Sequence, residues 1–316
     1  MPAVPAAARH PRSAKLAPVA SVHACIDIGS NTTRLLVAGL DGDGLRELVA
    51  ERAFTRIGAS CQTDGHIPAE TVAATAAVVA GQLHSALAAG AGEVVAVATA
   101  AVRDAPNRDE LVGAVERDTG LALRVLSGQE EARLSFIGAT RVLAEEIPGP
   151  VAVVDVGGGS TELAIGTPGG EPAFAASLAV GSSVLARAHL HTDPPAPAEL
   201  HAARSAASEA FEGLAPPAAA GALAVGGTAT SLHRIAGRDL DLASLQRALE
   251  LLGSAPSGEV ATRVKLDPER VRLLPGGILV LAAASGCLGL TPAITHGGLR
   301  EGVLLELLDR RASEGA

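Results

Sequence analysis

The 316-residue chain carries a formal charge of −9, is 48% hydrophobic, and holds four Phe with no Trp or Tyr. Such acidity excludes nonspecific binding to a nucleic-acid polymer or an anionic membrane, both of which need a basic field, so an anionic ligand must be gripped locally. The length suits two domains, with cores built from Ala, Val, Leu and Ile.

Residues 1–20 are rich in Pro and Ala, with scattered basic residues and no continuous apolar segment. They read as a disordered tail rather than a signal peptide. No uninterrupted apolar run free of Gly, Pro and charge reaches the roughly 18 residues that a spanning helix needs. The first unit is a strand over Ala24–Ile28, a glycine turn, and a second strand over Thr33–Leu40 that ends in "DGDG". A third strand lies in "ELVAERAFTRIG". Pro68 opens a helix that stops at Ala89 before Gly90, and "EVVAVAT" at 93–99 is a buried strand. Asn107 and Glu110 have capping-box spacing ahead of a helix that ends at Gly120; "LALRVLS" is the next strand. Ser127 and Glu130 repeat the capping signature for a helix to about Leu143, giving βββαβαβα, a mixed sheet flanked by helices.

The opening recurs after "EEIPGP". "VAVVDVGGGSTELAIG" aligns with the first unit without a gap, placing Asp155 on Asp27, Gly157 on Gly29, Ser160 on Thr32, Thr161 on Thr33 and Glu162 on Arg34. A repeat near half the chain length predicts two related domains. The strand "AFAASLAVG", an Ala-rich helix after "TDPPAPAEL", a strand and helix in "GALAVGGTATSLHRIAG", and a strand, turn and helix in "PAITHGGLREGVLLELLDRR" complete the chain.

A strand followed by Asp-x-Gly-Gly-Gly-Ser suits phosphate, because glycines let the backbone approach closely and turn several amide N–H groups onto one anion. Aspartate cannot bind phosphate itself, but it can hold a hydrated Mg²⁺ that does. One such loop could equally be an ordinary tight hairpin. Two in one chain, facing each other, would grip one phosphate chain from both sides; "AVGGT" at 224–228 is a weaker third. Cys25, Cys61 and Cys287 are far apart without a CxxC pair and give neither a disulfide framework nor a zinc site. They point to reduced thiols in a cytoplasmic protein. His189 and His191 lack a third ligand for a metal site.

The segments "DIGSNTTRLLV", "ATAAVRDAPN", "SGQEEARLSFIGA", "VVDVGGGSTELAIG", "AVGGTATSLHRIA" and "HGGLREGVLLELL" together resemble the exopolyphosphatase/guanosine pentaphosphate phosphatase family (Ppx/GppA). That family lies within the actin, sugar kinase and heat-shock ATPase superfamily. The resemblance runs from about Val22 to the C-terminus. It implies an α/β fold with two RNase H-like domains facing across a cleft, 21–146 and 147–316, the last helix at about 298–311 a candidate to pack back on the first. It also implies hydrolysis of the terminal phosphoanhydride of inorganic polyphosphate, or of pppGpp, in short chains for so short a family member.

By the resemblance Glu131 is the catalytic base. Glu130 is already accounted for by capping, and Glu131 has only Leu134 and Ser135 as its i+3 and i+4 neighbours, so it lacks an ion-pair partner on its own helix. The same resemblance gives Asp155 and Glu162 to Mg²⁺ or Mn²⁺, with Glu162 also positioning water. It gives Asp27, Gly29, Ser30, Asn31 and Thr32 to phosphate contact, with Gly157, Gly158, Gly159, Ser160 and Thr161, and with Gly226, Gly227 and Thr228 in the third turn. Arg34 and Arg103 would neutralise transition-state charge; Arg34 could instead pair across the strands with an acidic residue. Ala100 stands where the family commonly has serine. The candidate assembly is a homodimer. A noncatalytic polyphosphate or alarmone sensor, or a sugar kinase or ATPase chaperone, would use the same cleft, but a pure anion-binding site gains nothing from retained acids.

Overall fold

The computed structural model describes residues 21–41, 44–61, 64–141, 143 and 147–314. The expected tail at 1–20, the centre of "DGDG" and part of "EEIPGP" lie outside the described residues. The first half runs β1 (Val22–Ile28), β2 (Thr32–Asp41), β3 (Gly44–Phe54), a single turn α1 (Ile57–Ser60), α2 (Ala69–Ala88), β4 (Glu93–Ala98), α3 (Ala100–Arg103), α4 (Arg108–Thr119), β5 (Leu123–Val125) and α5 (Gly128–Thr140). The second half runs β6 (Val151–Val156), β7 (Thr161–Gly166), β8 (Pro172–Leu178), α6 (Ser182–His189), α7 (Pro197–Glu209), β9 (Gly221–Val225) and α8 (Gly226–Ala236). It ends with α9 (Leu242–Leu252), α10 (Ser257–Val264), α11 (Pro268–Leu288), β10 (Pro292–Ile294) and α12 (Leu299–Glu314).

The two sheets have the same topology, β3-β2-β1-β4-β5 and β8-β7-β6-β9-β10. In each, the first three strands are antiparallel. β4 lies parallel to β1 and β9 to β6, with β5 and β10 continuing in parallel at the edge. The duplication seen in the hairpins thus extends to all five strands, and the doubled α/β fold is present. A central strand must be apolar on both faces. In β1, Ala24, Ile26 and Ile28 join a core with Val79 and Leu111 of the covering helices, while Cys25 faces a second core with Leu304.

The helix that closes each half covers the other half's sheet. Ala132, Phe136 and Ala139 of α5 pack with Val151, Val153, Ala164 and Leu223 of the second sheet. Leu299, Val303 and Leu304 of α12 pack with Cys25, Leu36, Ala38 and Val97 of the first. A division at 146/147 therefore separates the sheets but not their packing, since α5 crosses as well as α12. Where the two helices cross, a Cβ on Gly138 would fall on the Gly298 carbonyl and 2.7 Å from the Gly302 nitrogen, and one on Gly302 would fall on the Leu134 carbonyl. Backbone atoms cannot yield as a flexible side chain can. Gly138→Ala is expected to cost about 1–3 kcal/mol or more in urea unfolding, the range for an overpacked interior.

Two helices, Ala69–Ala88 and Pro268–Leu288, are long and apolar enough by length and composition to cross a membrane. α11 buries Val271, Leu274, Ile278 and Leu281 in the second core, as the central helix of a globular half would. One predicted cap takes another form. Asn107 makes no side-chain cap to α4; its amide oxygen accepts from the Ile67 N–H at 2.9 Å and its amide nitrogen donates to the Ile67 carbonyl at 3.0 Å, tying two loops together. The Ser127–Glu130 capping box forms in full.

Candidate active site

Each hairpin turn is closed by the same bond, Gly29 N–H to the Thr32 carbonyl and Gly157 N–H to the Ser160 carbonyl, both at 3.0 Å. Each is also braced from behind by a helix that follows the third strand of its sheet. In the first turn, the Ser30 and Asn31 carbonyls accept from Gly58 N–H (2.8 Å) and Arg56 N–H (3.0 Å). In the second, the Gly157 and Gly158 carbonyls accept from Ser182 N–H (2.9 Å) and Ser183 N–H (3.0 Å). A trans peptide plane points its N–H opposite its carbonyl, so bracing the carbonyls turns the N–H groups of Asn31, Thr32, Gly158 and Gly159 away from the bracing helices. The turns lie against each other: a Cβ on Gly158 would stand 3.4 Å from Ser30 Cβ and 3.7 Å from Asn31 Cβ. The cleft between them encloses about 330 Å³, in the range of small-ligand sites rather than macromolecular grooves.

Behind the turns, one rung of each sheet supplies charge. On the first sheet Asp27 pairs in register with Arg34, and Arg34 with Arg52. The equivalent rung on the second is Asp155, Glu162 and Ser177. The repeat has thus diverged into a rung with two guanidinium groups and one with two carboxylates. Arg34 stands opposite the acidic residue that a cross-strand pairing requires, and it also lines the cleft. Glu131, one turn into α5 and 7% exposed, enters from above the second rung.

Four acids crowd the floor, Glu131 and Glu162 buried and Asp27 and Asp155 half-buried. Burial raises Glu162 to about 8, with Asp155 adding to the rise and the Ser160 and Ser177 hydroxyls opposing it. Burial lifts Asp27 to about 6 against the pull of Arg300 and Arg34. Asp155 is raised by burial and opposed by the Ser135 hydroxyl and Arg34. Glu131 is raised well above the usual carboxylate range by burial and then by Glu162, against Arg103. Asp27 Oδ1 has no hydrogen-bond partner among the described residues. Hard carboxylate oxygens, one of them orphaned, fit Mg²⁺ or Mn²⁺. Among the described residues no three His, Cys, Asp or Glu side chains form a cage for a metal ion. Mg²⁺ commonly takes one or two carboxylates and completes its shell with water and substrate oxygens.

Carboxylates with raised folded values contribute stability that is complete below the ordinary carboxylate range and is lost as pH climbs through about 6 for Asp27 and about 8 for Glu162. Metal-free protein is therefore expected to gain more in melting temperature from Mn²⁺ at about pH 9 than at about pH 6, measured by differential scanning fluorimetry with a hydrophobic dye.

Beside these carboxylates, Arg34 and Arg270 meet over the start of α8. A Cβ on Gly227 would lie 2.8 Å from Arg34 Nη2 and 3.2 Å from both terminal nitrogens of Arg270. Arg270 is 7% exposed and its Nε has no partner among the described residues. Burial, then Arg34 and Arg52, lower its pKa to about 10. The first turn of α8 has no side-chain cap, so its N–H groups add to this anion-seeking corner. Arg56 and Glu269, 2.6 Å apart, bridge the two halves, as does the bond from Arg187 to the Gly58 carbonyl.

The structure brings together Asp27, Gly29, Ser30, Asn31, Thr32, Arg34, Glu131, Asp155, Gly157, Gly158, Gly159, Ser160, Glu162, Gly226 and Gly227 around one cleft. Three sequence expectations are corrected. Thr161 spends its hydroxyl on the Val180 carbonyl at 2.6 Å and Thr228 on the Val156 carbonyl at 3.0 Å, both buried, so neither hydroxyl faces the cleft. Arg103 stands behind Glu131, donating to its Oε2 at 2.9 Å and to the Leu126 carbonyl at 3.2 Å. Glu131 is accordingly ion-paired from α3, although it lacks a partner on its own helix. Missed in the sequence were Arg270, in "PERVRLLPGG", and Arg300, inside a segment that carried the resemblance without any residue singled out. Arg300 Nη1 donates to the Leu35 carbonyl at 3.1 Å.

Residues 36–311 match the model of the Ppx/GppA phosphatase family. The chain is 30% identical over 305 residues to exopolyphosphatase 1 of Mycobacterium leprae, covering 91% of this chain and 89% of that one. It is 28% identical to a guanosine-5'-triphosphate,3'-diphosphate pyrophosphatase of Aeromonas hydrophila, covering 91% of this chain but 59% of that longer protein. The crystal structure of the Aquifex aeolicus Ppx/GppA family member superposes with a TM-score of 0.78 at 25% identity, covering 93% of this chain and 99% of that one. With the doubled sheets, the paired glycine turns and this match in hand, the chain belongs to the Ppx/GppA phosphatase family.

Proposed function

We propose that this protein is an exopolyphosphatase that removes the terminal phosphate of short inorganic polyphosphate chains by attack of a water molecule that Glu131 deprotonates. The observation that carries the reading is the convergence of both glycine turns and Glu131 on one cleft. The amide N–H groups of the turns, with the Ser30 hydroxyl, hold the terminal phosphate; Asn31 Nδ2, buried without a partner among the described residues, is a further donor. Arg34, Arg270 and the first turn of α8 hold the phosphates that follow and take up the charge that develops on the leaving oxygen. Asp155 and Glu162 would hold a divalent cation, which supplies neutralisation of phosphate charge when bound.

Glu131 accepts the proton. Glu162 and burial make its carboxylate basic enough for the task, while Arg103 holds Oε2 and keeps the side chain aimed. Arg103 is thus a positioning residue here, and the charge-neutralising role expected for it passes to Arg270. Phosphoryl transfer asks for little beyond such positioning and charge.

Polyphosphate is favoured over pppGpp because the recognition groups are cationic and amide donors, with no aromatic face for a base among the described residues that line the cleft. The Phe54 ring is itself covered, with Arg52 and Arg56 over it at 5.0 and 5.3 Å. The test is phosphate release from tripolyphosphate, longer polyphosphate and pppGpp side by side with Mg²⁺ or Mn²⁺. Faster turnover of the inorganic chains is the expected result, and preferential turnover of pppGpp would reverse the assignment.

A further inference from the structure

We propose that Ser135 and Ser177 are positioning residues that set the affinity of the Asp155 and Glu162 pair for its divalent cation; the role of that cation in hydrolysis rests on the reading above. Ser135, on α5 and 1% exposed, donates its hydroxyl to Asp155 Oδ2 at 3.0 Å. Ser177, on β8 and in register with Glu162, donates to Glu162 Oε1 at 2.8 Å. Each carboxylate is therefore anchored by neutral hydroxyls, Asp155 by Ser135 and Glu162 by Ser177 together with Ser160 of the second turn. Asp155 directs its other oxygen, Oδ1, at Gly226, where the absent side chain leaves it room.

The choice of hydroxyl matters chemically. A lysine or arginine in either place would orient the carboxylate equally well, but it would neutralise the charge and compete with a cation. A serine fixes the rotamer and leaves the negative charge intact. The other sheet shows the alternative: the residues equivalent to Glu162 and Ser177 are Arg34 and Arg52, and Arg34 reaches the start of α8. Both serines are also tied to the helix that bears Glu131. Ser135 belongs to α5, and Ser177 sits so close to Gly128 at its start that a side chain at Gly128 would collide with it. The two hydroxyls thereby fix the carboxylate pair relative to the base.

Outer partners of metal-binding carboxylates are generally worth about 10- to 100-fold in metal affinity. Ser135→Ala and Ser177→Ala are each expected to weaken Mn²⁺ binding to metal-free protein about tenfold or more. The measurement is free Mn²⁺ by electron paramagnetic resonance without any phosphate compound, after circular dichroism has matched each variant's fold to that of the parent. The half-saturating Mn²⁺ concentration for phosphate release is expected to rise in parallel, and added Mn²⁺ to recover the loss. Mn²⁺ affinities within about twofold of the parent for both variants would overturn the proposal, as would a parent that binds no Mn²⁺. A parent that binds Mn²⁺, with weaker binding in both variants but no phosphate release from any polyanion, supports the positioning role and removes the hydrolase reading instead.

Discussion

Glu131→Gln is expected to lower phosphate release by about 10²- to 10⁴-fold, the loss typical of a missing general base. The amide is nearly isosteric, and its carbonyl oxygen can still accept from Arg103 Nη1, which now donates to Oε2. Substrate contacts to the turns remain, so the loss is expected in kcat, with KM little changed. The same substitution is expected to raise the melting temperature at about pH 8, because the net effect of burial and Glu162 on Glu131 disfavours its ionised form and the amide carries no charge. Activity falls while stability rises, a pairing that simple misfolding cannot produce. Full activity in the variant would remove Glu131 as the base.

Gly226→Ala is the second large effect. Gly226 sits at φ +80, where an L side chain is strained by roughly 1–2 kcal/mol, and its Cβ would fall on Asp155 Oδ1. The carboxylate has nowhere to retreat while Ser135 holds Oδ2. A misplacement of about 1 Å in a reacting group can cost about 10²-fold, and a loss of that order in kcat/KM is expected together with a lower melting temperature. Gly286→Ala is the control. It stands on α11 with nothing within 4 Å of the new Cβ, and gains up to about 1 kcal/mol of helix propensity, so it should be neutral or stabilising. Equal behaviour of the two variants would mean that Asp155 tolerates displacement.

What could be read from the chain was what local chemistry decides. Asp27-to-Thr32 and Asp155-to-Ser160 announce themselves because a strand, a turn of small residues and a strand are specified within a few positions, and the match between them reveals the duplication. Glu131 could be separated from Glu130 because Ser127 accounts for one and not the other. Long-range geometry stayed hidden. Which face of α12 presents Arg300 depends on that helix crossing to the first sheet, and Arg270 reaches Gly227 only because α11 runs under α8. Thr161 and Thr228 looked free because their carbonyl partners, Val180 and Val156, come from other segments. Asn107 looked like a cap because Ile67, which claims its side chain, is forty residues away. From α9 to α11 no element is assigned from the sequence, although "GSAPSG" at 253–258, Asp267 with Pro268, and Gly289 mark the helix ends there.

The exchange of α5 and α12 fixes how the chain can be divided. Severed between α5 and β6, it would yield two fragments, each carrying the cover that the other needs and leaving its own sheet bare on one side. Such fragments should be sticky and poorly ordered apart, and should recover a native spectrum only when mixed, as interlocking pieces rather than as two independent folding units.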